Sequence, residues 1–314
     1  MQMVDSLSQA KKIIENSVVT MGNFDGVHLG HIELIKRLTK KSQEMQSKAV
    51  VLTFEPHPMQ ILYPDRDFQR LFPFSDQVEQ MRKLKVDVFI RHPFTLEFSK
   101  LSPEKFLDDW LFSSLNPLAL VVGYDFAFGS ERHGTLNRLQ DICAKRKVEV
   151  EIIPPYEKHD QIVSSSKIRE FVRRGEMSQA QDFLGRPFYL NGKVIHGAHR
   201  GRTIGFPTAN IDVQWNLKPR VGVYITETLV DEKKYQSMTN VGWNPTVSEN
   251  RNSLKIETHI LDFDGSLYDK EIGITFFKFL REEKKFSSLD ELQTQLNKDR
   301  KSAKEYFNEN PQIC

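Results

Sequence analysis

The sequence predicts an α/β domain, built on a parallel sheet covered by helices, followed by a small antiparallel β-barrel with a C-terminal helix. Three observations predict it. Residues 17 to about 153 alternate apolar strand-like runs with amphipathic helical stretches, the pattern of strand–helix–strand units. Beyond Gln181-Asp-Phe-Leu-Gly-Arg-Pro187, short strand patterns follow one another until a last helix. A length of 314 residues supplies two cores of ordinary size.

In order, Val18–Met21 is an apolar strand. A glycine-containing turn follows, and Ile32, Ile35 and Leu38 mark the face of a helix. Lys48–Phe54 and Leu118–Gly123 read as buried strands, Val86–Ile90 and Val148–Ile153 as shorter ones. Ser75–Leu84 is helical, and Ser102-Pro103-Glu104 opens a helix with a capping hydroxyl, a proline at the first position and an acid at the positive end. Gly185 ends a helix and Pro187 stops its continuation, so the domains are cut as 1–183 and 184–314. The barrel strands are expected at Phe188–His196, Gly222–Val230, Tyr235–Gly242, Leu254–Leu261 and Ile272–Leu280, with a tight turn at Asp264-Gly265. Ser288-Leu-Asp-Glu291 reads as a capping box, with Leu289, Leu292 and Leu296 on one face of the final helix.

The formal net charge of +2 gives no basis for binding nucleic acid, since basic and acidic residues are interspersed. No apolar run is long enough to span a bilayer, and Met1–Ser17 lacks the continuous apolar stretch of a signal peptide. Cys143 and Cys314 stand far apart and form no metal-type pair, so a reducing cytoplasm is the expected compartment.

The chemistry is expected at Gly22-Asn23-Phe24-Asp25-Gly26-Val27-His28-Leu29-Gly30-His31. Small residues after a strand let a polyphosphate approach the backbone, and the following helix start offers free N–H groups. His28 and His31, three apart, face one side of the first turn and can hold phosphate oxygens. Phe54-Glu-Pro-His-Pro58 and Gly123–Gly129 leave the ends of predicted strands; aromatics of the latter can stack on a ring whose N–H donors Asp125 accepts. Ser164, Ser165 and Ser166 begin a helix on which Arg169 can grip phosphate. Taken singly, each segment also reads as a turn, a core aromatic pair or a cap. In the second half, Gly201–Asn210 is neither a Walker loop nor a Rossmann glycine pattern. Its glycines permit close approach, Arg202 offers phosphate contacts, and Thr208 and Asn210 offer oxygens to a hard cation. A plain structural turn is the rival reading. Glu257 shares a strand face with Lys255 and His259. It reads either as an exposed carboxylate or as a base for phosphoryl transfer.

These motifs, in this order, resemble bacterial FAD synthetases, which join an adenylyltransferase to a riboflavin kinase. His28-x-Gly30-His31 resembles the nucleotidyltransferase superfamily, and Gly205-Phe-Pro-Thr-Ala-Asn210, Asn240–Thr246, Glu257-Thr-His259 and Leu280-Arg281-x-Glu283 resemble the kinase domain. The resemblance implies a Rossmann-like nucleotidyltransferase fold and then a riboflavin kinase barrel. It implies that ATP meets Gly22, Asn23, Phe24, Gly30, Ser164 and Ser166 in the first domain, and Gly201, Arg202, Gly205 and Pro207 in the second. His28, His31 and Arg169 would serve adenylyl transfer, and Phe54, Asp125 and Phe128 would lie near flavin. Thr208 and Asn210 would hold Mg²⁺, Glu257 would be the kinase base, and Arg281 would lie by the flavin. Substrates would be riboflavin, FMN and ATP, with no nucleic acid or membrane partner. Three positions depart from the family pattern: Ser166 where threonine is common, Val247 where an aromatic is common, and Asp269 where glycine is common. The rival functions are a chain with one live domain and a non-catalytic flavin-binding regulator.

Overall fold

The computed structural model describes residues 1–196, 204–213, 217–243 and 254–311. Gly201, Arg202, Val247 and the segment 244–246 lie outside the described residues. The chain forms two compact units, Met1–Ser165 and Ser166–Cys314.

The first unit is built on a six-stranded parallel sheet. Its strands are β1 (Gln2–Val4), β2 (Ser17–Met21), β3 (Lys48–Phe54), β4 (Val88–His92), β5 (Pro117–Gly123) and β6 (Glu149–Ile153), in the order β1-β4-β3-β2-β5-β6. Alternation along each central strand supplies two cores. Val19, Met21, Val50, Leu52, Leu120 and Val122 face one side; Val18, Ala49, Val51, Ala119 and Val121 face the other with Ile35 and Leu38 of helix Leu29–Glu44. Buried on both faces, these strands are continuously apolar, which is why they were legible. From β2 the chain passes to β3 and β4 on one side, and then returns to β5 on the other. The carboxyl ends of β2 and β5 therefore flank a topological switch point, where open parallel sheets form a crevice. The first turn expected at Ser102 is present, with its hydroxyl accepting from Lys105 N–H at 3.3 Å, but the helix widens into a π-helical stretch at Phe106–Phe112. A short hairpin, β7 (Glu157–Lys158) with β8 (Gln161–Ile162), follows the sheet.

The second unit is a closed barrel. Its strands are β9 (Phe188–Ile195), β10 (Ala209–Asp212), β11 (Gly222–Val230), β12 (Lys233–Trp243), β13 (Leu254–Ile260) and β14 (Glu271–Arg281), in the order β10-β13-β12-β11-β14-β9. Its lumen is partly polar. Thr226 Oγ1 lies 2.8 Å from both Ser237 Oγ and Thr239 Oγ1, and Thr239 donates to Thr258 at 2.9 Å, all of them buried. The opposite face of β11, β12 and β14 presents Ile225, Met238 and Phe277 to Ala303 and Phe307 of helix Leu289–Glu309. Helix Met177–Leu184 packs on β9 and β14. The boundary between the two compact units thus lies before this helix, whereas the expected cut at 183/184 falls just ahead of its last residue.

Several local expectations are corrected. β1 and β10 carry too few residues to show a period, and neither was anticipated. The tight turn is not at Asp264-Gly265, which lies within a connection running over 261–270. It is instead Asp231-Glu232 between β11 and β12, where both residues have positive φ (47° and 65°), as a type I′ hairpin requires. Neither is glycine or asparagine, so the turn gave no ordinary signal. Ser288 caps the last helix as expected, accepting from Glu291 N–H at 3.2 Å. The Glu291 carboxylate, however, accepts from Ser287 N–H (2.9 Å) and its hydroxyl (2.8 Å), so the reciprocal bond is displaced by one residue. Leu289 is 67% exposed, along with Asp290 and Glu291 of the first turn; the inward face is Leu296, Asp299, Ala303 and Phe307.

Candidate functional site

Each unit carries one candidate site. In the first, the loop leaving β2 is tightly constrained: Phe24, Gly26 and Val27 all have positive φ (48°, 80° and 38°), and Phe24 and Val27 are buried. Side chains of this kind in that region store strain, which burial of two apolar groups offsets. Asp25 Oδ1 accepts from Leu71 N–H at 3.0 Å, and the Ser165 hydroxyl donates to the Asp25 carbonyl at 2.9 Å. The Asn23 carbonyl accepts from Gln77 Nε2 at 2.8 Å. Ser165, Gln77 and Leu71 therefore hold the loop; Ser165 was expected only as part of a helix start and the other two were not singled out, because a local pattern has no means of indicating a bond across 46 to 140 residues.

The two histidines come together as expected. Their rings stack with centroids 3.7 Å apart and planes 16° from parallel. His28 is the N-cap of helix Leu29–Glu44, and its Nδ1 accepts from His31 N–H at 3.3 Å. That bond leaves the ring proton of neutral His28 on Nε2. Burial, and then the adjacent His28, push the His31 pKa well below its ordinary value. His31 is thus a neutral imidazole at pH 7, and its Nδ1 is buried with no hydrogen-bond partner. A Cβ at Gly30 would first meet the His28 ring (3.3 Å) and Tyr156 (3.5 Å), so the glycine makes room for His28.

Phe54 ends β3 within an aromatic cluster, its ring 5.6 Å from Phe94 and 5.5 Å from Phe98. Phe128 is buried, stacked on Phe126 at 5.5 Å. Asp125 is exposed just past β5, and its Oδ1 lies 3.2 Å from where a Gly123 Cβ would be. His57 caps the short helix Pro58–Leu62 by accepting from Met59 N–H at 3.1 Å, and stacks on Phe68. A cleft of ≈240 Å³ is lined by Asn23, Asp25, His57, Arg70, Asp76 and Gln77, among others. Arg169 is half-buried on helix Ser165–Arg174, where Ser166 is exposed, and both fall within the second unit.

In that unit, strand register assembles the second site. Glu257 on β13 is paired with Asn210 on β10 and with Asn240 on β12. Directly opposed residues share a sheet face about 5 Å apart, so the three side chains form one rung on the outer barrel wall. Asn210 is buried, yet its Oδ1 has no hydrogen-bond partner. Glu257 is paired with Lys255 Nζ at 2.7 Å, and its side chain is 28% exposed. His259 ties the preceding motif to the same strand, its Nδ1 lying 2.8 Å from the Pro207 carbonyl. Since a carbonyl only accepts, Nδ1 carries the proton. Burial lowers the His259 pKa, against the raising effect of that bond. Thr208 is exposed beside a cleft of ≈610 Å³ lined also by Pro207, Ala209, Phe263, Leu267 and Tyr268. Gly205 has φ +76° with open space around it.

Arg281 is not an open guanidinium. Its Nε donates to both Asp299 oxygens at 3.0 Å, Nη2 to Oδ2 at 2.6 Å and Nη1 to the Glu282 carbonyl at 2.9 Å. The departure at Asp269 has a simple reason. Its φ is +64°, a conformation that glycine adopts freely and aspartate tolerates better than most residues. Its carboxylate is paired with Lys193 at 2.9 Å. Among the described residues, no group of three or more His, Cys, Asp or Glu side chains is placed to hold a metal ion. Oxygen donors of the Thr208 and Asn210 type remain.

The FAD synthetase family matches residues 10–167, and the riboflavin kinase family matches residues 184–307. A bifunctional riboflavin kinase/FMN adenylyltransferase from Listeria monocytogenes is 38% identical over 93% of this chain and 93% of its own length. Proteins of the same description from Buchnera aphidicola (98% of this chain, 99% of its own) and Escherichia coli (97% and 96%) are each 34% identical. A solved structure described as a macrolide-efflux protein from Streptococcus pneumoniae superposes with a TM-score of 0.87 at 29% identity, covering 97% of this chain and 99% of that one. No helix among the described residues of this chain is long and apolar enough to cross a membrane.

Proposed function

Since the chain belongs to the bifunctional riboflavin kinase/FMN adenylyltransferase family and carries both catalytic domains, we propose how its own side chains divide the two reactions. The chain phosphorylates riboflavin to FMN with ATP and adenylylates FMN to FAD. In the first reaction the Glu257 carboxylate takes the proton of the ribityl 5′-hydroxyl as its oxygen attacks the γ-phosphorus of ATP, and ADP leaves. Thr208 and Asn210 supply hard oxygens for Mg²⁺, which when bound offsets phosphate charge. The buried, unpartnered Asn210 Oδ1 supports that fit. Gly201, Arg202, Gly205 and Pro207 cradle the ATP phosphates, and Arg281 neighbours the flavin.

In the second reaction an FMN phosphate oxygen attacks the α-phosphorus of ATP and pyrophosphate leaves. The nucleophile is ionised at neutral pH, so no base is needed. The His28 Nε2–H and the neutral His31 ring act as hydrogen-bond donors to the phosphates rather than as cations, and Arg169 supplies charge. Gly22, Asn23, Phe24, Gly30, Ser164 and Ser166 bind ATP, while Phe54, Asp125 and Phe128 lie toward the flavin. The adenylyltransferase spans 1–183 and the kinase 184–314, and the enzyme works in the cytoplasm.

The observation that carries this division is the stacked His28/His31 pair in one unit and the Asn210–Glu257 rung in the other. Chromatography of flavins in a time course with riboflavin, ATP and Mg²⁺ should show FMN first and FAD after it. His31→Ala should abolish FAD formation and spare FMN formation. Glu257→Gln should stop FMN formation yet leave FAD formation from supplied FMN. Equal loss of both activities in either folded variant would break the assignment.

A further inference from the structure

One acceptor on the barrel wall is used neither by the fold nor by the roles above. Asn240 stands in register with Glu257 on β12, on the side away from Asn210. Its Nδ2 donates to Glu283 Oε1 at 3.0 Å. A carboxylate only accepts, so this bond fixes which way the amide points: Nδ2 toward Glu283, Oδ1 away from it. That Oδ1 is buried and has no hydrogen-bond partner. The next residue on the same strand face, Gly242, leaves the space in which the Glu283 carboxylate lies, since a Cβ there would collide with it. Gly242 and Glu283 together therefore hold a carbonyl acceptor beside the proposed base, in a place where no group among the described residues satisfies it.

A buried amide oxygen with no partner is a cost that folded proteins seldom carry outside a binding site. What satisfies it is a hydrogen-bond donor or a cation, and the oxygens proposed for the cation, those of Thr208 just before β10 and Asn210 on it, stand on the other side of Glu257. The phosphates of ATP have only acceptors, so they are excluded. Riboflavin has donors at this position: the ribityl chain bears hydroxyls on the carbons preceding the one that Glu257 deprotonates. We propose that Asn240 is a substrate-binding residue of the kinase site, its Oδ1 accepting a hydrogen bond from a ribityl hydroxyl adjacent to the reacting one. Glu283 is a positioning residue that acts through Asn240. Asn210 and Asn240 then have different tasks on either side of Glu257, one toward the cation and one toward the alcohol. This inference rests on the assignment of Glu257 as the kinase base.

The test measures riboflavin kinase kinetics of the full chain at varied riboflavin, ATP and Mg²⁺. Asn240→Leu, which keeps the shape and removes the acceptor, should raise KM for riboflavin by about tenfold to a hundredfold. KM for ATP and the Mg²⁺ requirement should not move. Glu283→Gln lets the amide turn over, because glutamine both donates and accepts, and should raise the same constant by a smaller factor. Melting and FAD formation from supplied FMN monitor folding. An unchanged riboflavin KM in folded Asn240→Leu overturns the proposal, and so does an effect confined to the Mg²⁺ requirement, which would make Asn240 a metal ligand. Should Asn240→Leu not fold, Glu283→Gln decides, since an unchanged riboflavin KM there also overturns it. Glu257→Gln measured in parallel separates the two readings: if it keeps full kinase activity, the base assignment fails first.

Discussion

Replacing Asp299 by alanine tests the joint between the last barrel strand and the C-terminal helix. Asp299 is 3% exposed and accepts three bonds from the Arg281 guanidinium, at 3.0, 3.0 and 2.6 Å, and one from Gln295 Nε2 at 2.8 Å. The Arg281 side chain is itself only 15% exposed. Alanine would therefore leave a guanidinium confined without its counter-charge, and breaking a buried pair from one side costs about 3–5 kcal/mol. For a unit of this length, residues 166–314, each kcal/mol lowers melting by about 2–4 °C, so a fall of roughly 10 °C is expected. Urea unfolding of the wild type, Asp299→Ala, Arg281→Leu and the double variant Arg281→Leu/Asp299→Leu measures it. The double variant should recover most of the loss, because an apolar pair leaves no unpaired charge. A single-variant cost below about 1 kcal/mol, or a double variant no better than the singles, would refute the reasoning.

Two further outcomes follow from the titratable groups. Burial lowers the His92 pKa from 6.5 to about 4, and Leu7 N–H donates to its Nδ1 at 3.4 Å. The folded state thus resists a proton that the unfolded chain accepts, so stability is intact above pH 6.5, falls toward pH 4 and then levels. The total is about 3 kcal/mol, and His92→Asn should flatten that part of the urea-stability profile relative to wild type; parallel profiles would contradict it. At His259, asparagine can place its Nδ2 donor where Nδ1–H meets the Pro207 carbonyl, whereas leucine cannot. Kinase activity should survive His259→Asn better than His259→Leu, and identical losses would mean that the bond does not position the Thr208 turn.

The sequence by itself determined the two-part architecture and the position of both motifs. Doubly buried strands are continuously apolar, as in Lys48–Phe54, and a strand, a glycine turn and a helix start are all local events, as in Gly22–His31. Local chemistry also revealed the caps at Ser102 and Ser288. Tertiary structure decided everything that depends on distant chain segments meeting. Asn240 became a neighbour of Glu257 only through strand register, and Ser165 and Gln77 reach the β2 loop across the fold. The Asp231-Glu232 hairpin was hidden because the twist of two paired strands, rather than residue preference, holds both residues at positive φ. The neutrality of His31 was hidden for a related reason. A motif shows that two histidines can face one way, but only packing sets how much water they lose, and that loss decides whether the ring carries charge.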